Sequence, residues 1–223
     1  MLLTSGKALS LLILSLGLIV SVSGQTQTVS ESSASQDVKD FAVALVRVKT
    51  EAEQEQLLDQ KPALVDGSLL VVLKTLADPI VQKGEYNEAI RISHLALRIA
   101  EKLQDRSRIA TALCDVGVIY ARRQPPKDAV NYLQKCLTAF EELGDKKGQA
   151  RALQAFGGAY DNDRAPMLAL TSYQKSLALS EEIGDKGLTA RTLNGLGFAH
   201  MALGNYDAGM EFYVETEDLA AQM

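Results

Sequence analysis

An all-α fold built from stacked antiparallel helix pairs is predicted for this 223-residue chain by three observations. A register of about 40 residues returns four times, each copy carries apolar stripes at helical spacing, and glycine–aspartate pairs mark the copy boundaries. The register shows in single columns. Ala77, Gly117, Gly157 and Gly197 keep step, as do Ala89, Ala129, Ala169 and Gly209, and Asp105, Asp145 and Asp185. Three residues after the first column stand Ile80, Tyr120, Tyr160 and His200. A stack of this kind is an interaction scaffold more often than an enzyme.

The chain opens with Met1 to Lys7, an apolar run from Ala8 to Val20, and the small residues Ser21-Val22-Ser23-Gly24. This reads as an export signal over 1–24, cleaved before Gln25, and places the protein in the periplasm or outside the cell; an uncleaved membrane anchor is the alternative. The apolar run is shorter than the ~20 residues a spanning helix needs. Residues 25–36 are Ser, Thr and Gln with little to bury, hence a disordered tether. Over 37–64 a helical preface follows: one helix from Asp37 to Val48, and a second from Glu51 to Gln60 opened by the capping box Thr50 and Glu53.

The repeats then span 65–104, 105–144, 145–184 and 185–223. In the third copy Ala150, Leu153, Phe156, Gly157 and Tyr160 form one apolar stripe. In the second, Gln124-Pro125-Pro126 breaks the pair, and Ala129, Leu133, Cys136, Leu137 and Phe140 make the facing stripe. Gly144-Asp145 and Gly184-Asp185 each combine a terminating glycine with a capping aspartate. The small residues at 117, 157 and 197 let the two helices of a pair approach closely. Pro79 lies inside the first helix of copy one, where it should kink or shorten it.

These columns, with Leu113, Leu153 and Leu193 early in the first helices, resemble the tetratricopeptide repeat in its longer variant of about 40 residues, from Val65 to Met223. The preface around Glu55-Gln56-Leu57-Leu58 and Leu64-Val65 also resembles that of secreted bacterial proteins joining such repeats to a caspase-like CHAT peptidase domain. The first resemblance implies a right-handed α-solenoid whose first helices line a concave groove for a peptide or protein partner. By the family's groove positions, the lining residues are Val71, Thr111, Arg151 and Arg191 in one row and Lys74, Cys114, Gln154 and Asn194 in the next, with Arg122 and Asn162 one turn further. Lys74, Arg122, Arg151, Gln154, Asn162, Arg191 and Asn194 form the candidate binding site. Its cations suit an acidic peptide or a free C-terminal carboxylate; solvation of the groove is the competing reading. The second resemblance implies, as an alternative function, a sensor or regulatory module of a CHAT peptidase system, or the N-terminal fragment of such a protein.

With 28 acidic and 23 basic residues the formal net charge is -5, and loss of Lys7 with the signal takes it to -6. A phosphate-binding face needs a surplus of Lys and Arg, so nucleic acid is excluded as the expected partner. No catalytic constellation, metal site or cofactor motif is expected, nor a small-molecule substrate. His94 and His200 fall on repeat columns, Asp161-Asn162-Asp163 lacks the glycine and distal Glu of a calcium loop, and Gly195-Leu196-Gly197 lies inside a predicted helix. Cys136 shares the core column of Ser176 and Thr216, while Cys114 is expected to face the groove, so two free thiols are expected, with a disulfide as the alternative. Glu217 stands where Leu137 and Leu177 stand in earlier copies. The last helix is therefore either a polar cap or a face awaiting a further repeat, and an uncovered apolar end would promote self-association.

Overall fold

The computed structural model describes residues 34–123 and 127–223. The export signal, most of the tether and the Gln124-Pro125-Pro126 break lie outside them. Among the described residues there are ten α-helices, one 3₁₀ turn at Pro62–Leu64 and no strand. In chain order the helices are α1 (Gln36–Arg47), α2 (Glu51–Gln60), α3 (Gly67–Gln82), α4 (Tyr86–Lys102), α5 (Arg106–Arg122), α6 (Lys127–Leu143), α7 (Lys146–Asn162), α8 (Pro166–Glu182), α9 (Lys186–Ala202) and α10 (Tyr206–Ala220). The chain is thus an all-α helical repeat. None of these helices is long and apolar enough to cross a membrane.

The period has a backbone cause. A residue in left-handed conformation ends a helix about every 20 positions: Gly84 (φ 78), Gln104 (φ 52), Gly144 (φ 65), Arg164 (φ 56), Gly184 (φ 69) and Gly204 (φ 79). At Gly144 the Asp145 N–H returns to the Phe140 carbonyl at 3.0 Å, closing the C-terminal turn of α6. The carboxylate of Asp145 then accepts the Gly148 N–H at 2.9 Å and starts α7. Asp105 and Asp185 cap α5 and α9 in the same way, each at 3.0 Å. Pro79 does not end α3, which continues one turn beyond it and is 16 residues long against 17 in α5, α7 and α9. Its missing N–H falls on the exposed side near Thr75, where water can satisfy the freed carbonyl.

Within a pair, a small residue on the first helix receives a large one from the second. A Cβ on Gly117 would stand 2.8 Å from the Leu133 side chain, and one on Gly197 would stand 2.8 Å from the Tyr213 ring. Tyr173 packs against two glycines: a Cβ on Gly195 would lie 2.5 Å from its ring carbon Cζ, and one on Gly157 would overlap the ring at Cε1. The glycines therefore admit specific side chains as well as bringing the helices together.

Cys114 and Cys136 form a disulfide with Cα atoms 5.2 Å apart, which corrects the expectation of free thiols. Cys114 follows Ala110 by four residues and precedes Gly117 by three, so it shares the stripe that faces α6. Cys136 stands likewise between Leu133 and Phe140, and the antiparallel pair puts both cysteines at one height.

The preface is part of the stack. Ser35 caps α1, accepting the Val38 N–H at 3.3 Å, so the last residues assigned to the tether are structured. Val38, Phe41, Ala42 and Leu45 of α1 and Leu58 of α2 share a core with Leu69 and Leu73 of α3 and with Ile92, Leu95 and Ile99 of α4. Arg91 donates to the Val46 and Val48 carbonyls at 2.5 and 3.1 Å, satisfying the C-terminal end of α1. Buried Gln54 donates to the Leu45 and Val48 carbonyls, both at 3.2 Å, and Arg98 bonds its side-chain oxygen. Thr50 caps α2 as expected, accepting the Glu53 N–H at 3.4 Å, while its hydroxyl donates to the Glu53 carboxylate at 2.6 Å in place of the backbone bond of a full capping box.

Left-handed backbone costs an ordinary residue roughly 1–2 kcal/mol. Gln104→Gly and Arg164→Gly are therefore each expected to stabilise the fold by about 0.5–1 kcal/mol in urea denaturation, after the added freedom of glycine in the unfolded chain; unchanged midpoints would show that these side chains make compensating contacts. Reducing the disulfide, which links residues 22 apart, is expected to cost roughly 3 kcal/mol. Comparing denaturation with and without reductant, against Cys114→Ser as a reductant-insensitive control, measures it.

Candidate partner-binding site

The first helices α5, α7 and α9 pack side by side, whereas α3 and α5 scarcely touch. Between these last two a cleft of about 450 Å³ opens onto α4. Its floor is made of short side chains. Ser93 takes the place in α4 that Leu133 and Tyr173 hold in α6 and α8, and with Ala77 and Ala96 it leaves the space unfilled. Leu70, Leu73, Ile92 and Ile119 form the apolar walls, and Val71 is 54% exposed at the rim.

Charges ring this apolar space. Lys74 Nζ meets Asp115 Oδ1 at 2.7 Å across the gap, with both side chains partly exposed. Arg108 pairs with Asp105 and lies against Gly67, where a Cβ would collide with its guanidinium. Asp78 and Arg122 line the other end. Burial pushes the Asp66 carboxyl up, but hydrogen bonds from the Ser68 hydroxyl and from the Leu69 and Ser68 N–H groups outweigh it and hold the group below the ordinary carboxylate value, with a lesser contribution from Arg108.

The sequence-derived strip is split. Lys74 and Arg122 line the cleft, together with Val71 and Thr111. Arg151, Gln154 and Asn162 lie along α7, and Arg191 and Asn194 along α9, outside it; Gln154 is half-buried and the others are exposed. Cys114, assigned to the groove, is instead bonded to α6. Reading by family position missed Arg108, Asp78 and Asp115 in the cleft, and Phe198, 53% exposed on the Arg191–Asn194 stripe of α9. A signal for Phe198 existed: its column holds Asp78, Val118 and Gly158, a set too varied and polar for a core position.

The histidines have structural surroundings. His94 packs edge-on against Tyr120 and Tyr132, whose rings stack 5.3 Å apart, and burial lowers its pKa. His200 stacks on Phe212 at 5.3 Å. Among the described residues no cluster of three or more His, Cys, Asp or Glu could hold a metal ion. Asp161 is raised above 3.8 by burial despite the Tyr173 hydroxyl, which donates to it at 2.7 Å.

Known proteins can now be set beside this geometry. Residues 69–142, which include both walls of the cleft, match the family model of the tetratricopeptide repeat. No curated protein matches the chain. Among solved structures it is similar to BtubC (BKLC) from P. vanneervenii, at 17% identity and TM-score 0.61 over 83% of this chain and 79% of that one. A kinesin-light-chain-like protein of Podosopora anserina with nearly identical TPR-like repeats is similar at 14% identity and TM-score 0.54, over 83% and 94% of the two chains. At these identities the likeness is one of fold. Repeats of this class generally mediate protein–protein interaction.

Asp161 yields a pH test. The unfolded carboxyl titrates near 3.8 and the folded one higher. Between the two values the folded chain retains a proton that the unfolded chain has lost, so stability falls as pH rises through that window. Asp161→Asn, which keeps an acceptor for Tyr173, is expected to flatten this slope in urea denaturation from pH 4 to 7. An unchanged slope would assign it to another group.

Proposed function

We propose that this protein is an exported, non-enzymatic interaction module that holds an extended acidic segment of a partner protein in the cleft between α3 and α5. The observation that carries this reading is the cleft itself, an apolar space rimmed by Lys74, Arg108 and Arg122 in an acidic protein. An apolar side chain of the partner would fill the space above Ser93 and Ala96, which supplies affinity through buried area. A flanking carboxylate would replace Asp115 on Lys74 or meet Arg122, which supplies orientation. Arg151, Gln154, Asn162, Arg191 and Asn194 would continue the contact along α7 and α9, with Phe198 as an aromatic stop. Export rests on the N-terminal sequence and is supported by the disulfide, which persists in oxidising compartments.

Ser93→Leu separates binding from folding. It copies Leu133 into the first pair, fills the cleft floor, and is expected to leave thermal stability equal or higher. In a pull-down from envelope extract it should reduce capture of the partner at least tenfold, as should Lys74→Glu with Arg122→Glu. Equal capture by all three proteins would remove the cleft from the function. Export is checked by N-terminal sequencing of the native protein, which should begin at Gln25; a start at Met1 would favour the uncleaved anchor.

A further inference from the structure

The cleft between α3 and α5 runs lengthways along both helices. It is lined from Gly67 to Gln82 on α3 and from Arg108 to Arg122 on α5, which at a helical rise of about 1.5 Å per residue is roughly 20 Å. Its floor on α4 is Ile92, Ser93 and Ala96, so a single hydroxyl is the only polar side-chain group there. These floor residues lie inside α4, where the backbone groups bond along the helix. A peptide main chain laid on such a floor would leave its N–H and C=O groups without partners, which is costly, whereas hydrocarbon has none to satisfy. A partner protein can send a side chain into this space but not its backbone.

Volume and charge narrow the occupant further. A dry apolar cavity of roughly 150 Å³ holds one six-carbon ring, so a cleft of about 450 Å³ has room for about 12–18 carbons. An extended chain of about 14–16 carbons is roughly 16–20 Å long, given bonds of about 1.5 Å and tetrahedral angles, so the length fits as well. The five charged side chains that line the cleft sum to one positive charge, Lys74, Arg108 and Arg122 against Asp78 and Asp115, and a monoanion neutralises it. Lys74 is held by Asp115 and Arg108 by Asp105, whereas Arg122 makes no hydrogen bond or ion pair among the described residues. Gln82 stands in the same column on α3, so an amide and an unpaired guanidinium close one end of the apolar space. Asp78, one turn before Gln82, opposes a second negative charge there, which favours a carboxylate over a dianionic phosphate.

We propose that the cleft binds a single-chain aliphatic carboxylate, its tail laid over Ser93 and Ala96 between α3 and α5 and its carboxylate held by Arg122 and Gln82. A mostly apolar space with a few polar groups gathered at one end is the form of a small-molecule site. Binding of the acid needs no partner protein. The acid and a partner segment would exclude each other, so the acid would switch partner capture off; that consequence alone rests on the function proposed above.

Isothermal titration of the full chain with decanoate, dodecanoate and tetradecanoate, each below its micellar concentration, is expected to show one site that tightens about five- to tenfold with each added pair of carbons. Methyl dodecanoate should bind at least tenfold more weakly than dodecanoate. Arg122→Gln should weaken dodecanoate at least tenfold and leave the ester unaffected. Ser93→Leu, which fills the floor, should weaken every acid at least tenfold while circular dichroism and thermal stability are retained. Affinity independent of chain length, equal affinity for acid and ester, binding that Ser93→Leu leaves unaltered, or several acids bound with loss of helix overturns the proposal. If the acids bind as expected but Ser93→Leu captures the same proteins as the parent chain, the partner reading falls alone; if capture depends on Ser93 and no acid binds, this inference falls alone.

Discussion

Everything in this fold depends on how closely the two helices of a pair can cross. At each crossing in the last three pairs a glycine on the first helix receives a bulky side chain from the second: Gly117 takes Leu133, Gly157 takes Tyr173, Gly197 takes Tyr213. Glycine is costly inside a helix, about 1 kcal/mol against alanine, so the closeness of packing must offset it. The close crossing also lets a disulfide join α5 to α6 and lets Ser176 reach from α8 to the Ala150 carbonyl of α7 at 2.8 Å. Ion pairs repeat on the same frame. Arg106 meets Glu142, and 40 residues later Lys146 meets Glu182, tying the start of each first helix to the end of its partner.

The candidate site arises where this rule lapses. In the first pair Ala77 replaces the glycine and Ser93 replaces the bulky side chain, so the crossing is made of two small residues and leaves room beside it. The preface holds α3 from its other side through the shared apolar core of α1, and Arg91 and Gln54 fix the carbonyls at the end of α1. Arg91 also grips Glu88, holding that carboxyl down at about 2; burial opposes this and Lys49 assists. With α3 anchored toward α1 and no large side chain filling the crossing, the space between α3 and α5 stays open. A recognition surface is thus produced by under-packing one member of a repeat whose other members are closed.

The two ends of the stack differ for a related reason. The first end is sealed by helices of different sequence, α1 and α2, with Lys102 bridging to Glu55 and Asp59 at 3.1 and 2.7 Å. Helix α10 keeps the repeat pattern but changes one leucine column to Glu217.

The sequence by itself determined the helix pairs, their stacking and most of their boundaries, because a 40-residue period, the glycines at 84, 144, 184 and 204 that end helices in left-handed conformation and the aspartates that cap α5, α7 and α9 act locally. Gln104 and Arg164 escaped notice because their side chains give no sign of left-handed backbone. Tertiary structure alone decided that Cys114 faces Cys136, that the predicted strip of cations divides between a cleft and two exposed stripes, and that Ser93 leaves a cavity. The physical reason is that periodicity states which residues share a face, whereas the distance between neighbouring helices is set by the volumes that meet at each crossing, and those are known only once both partners are in place.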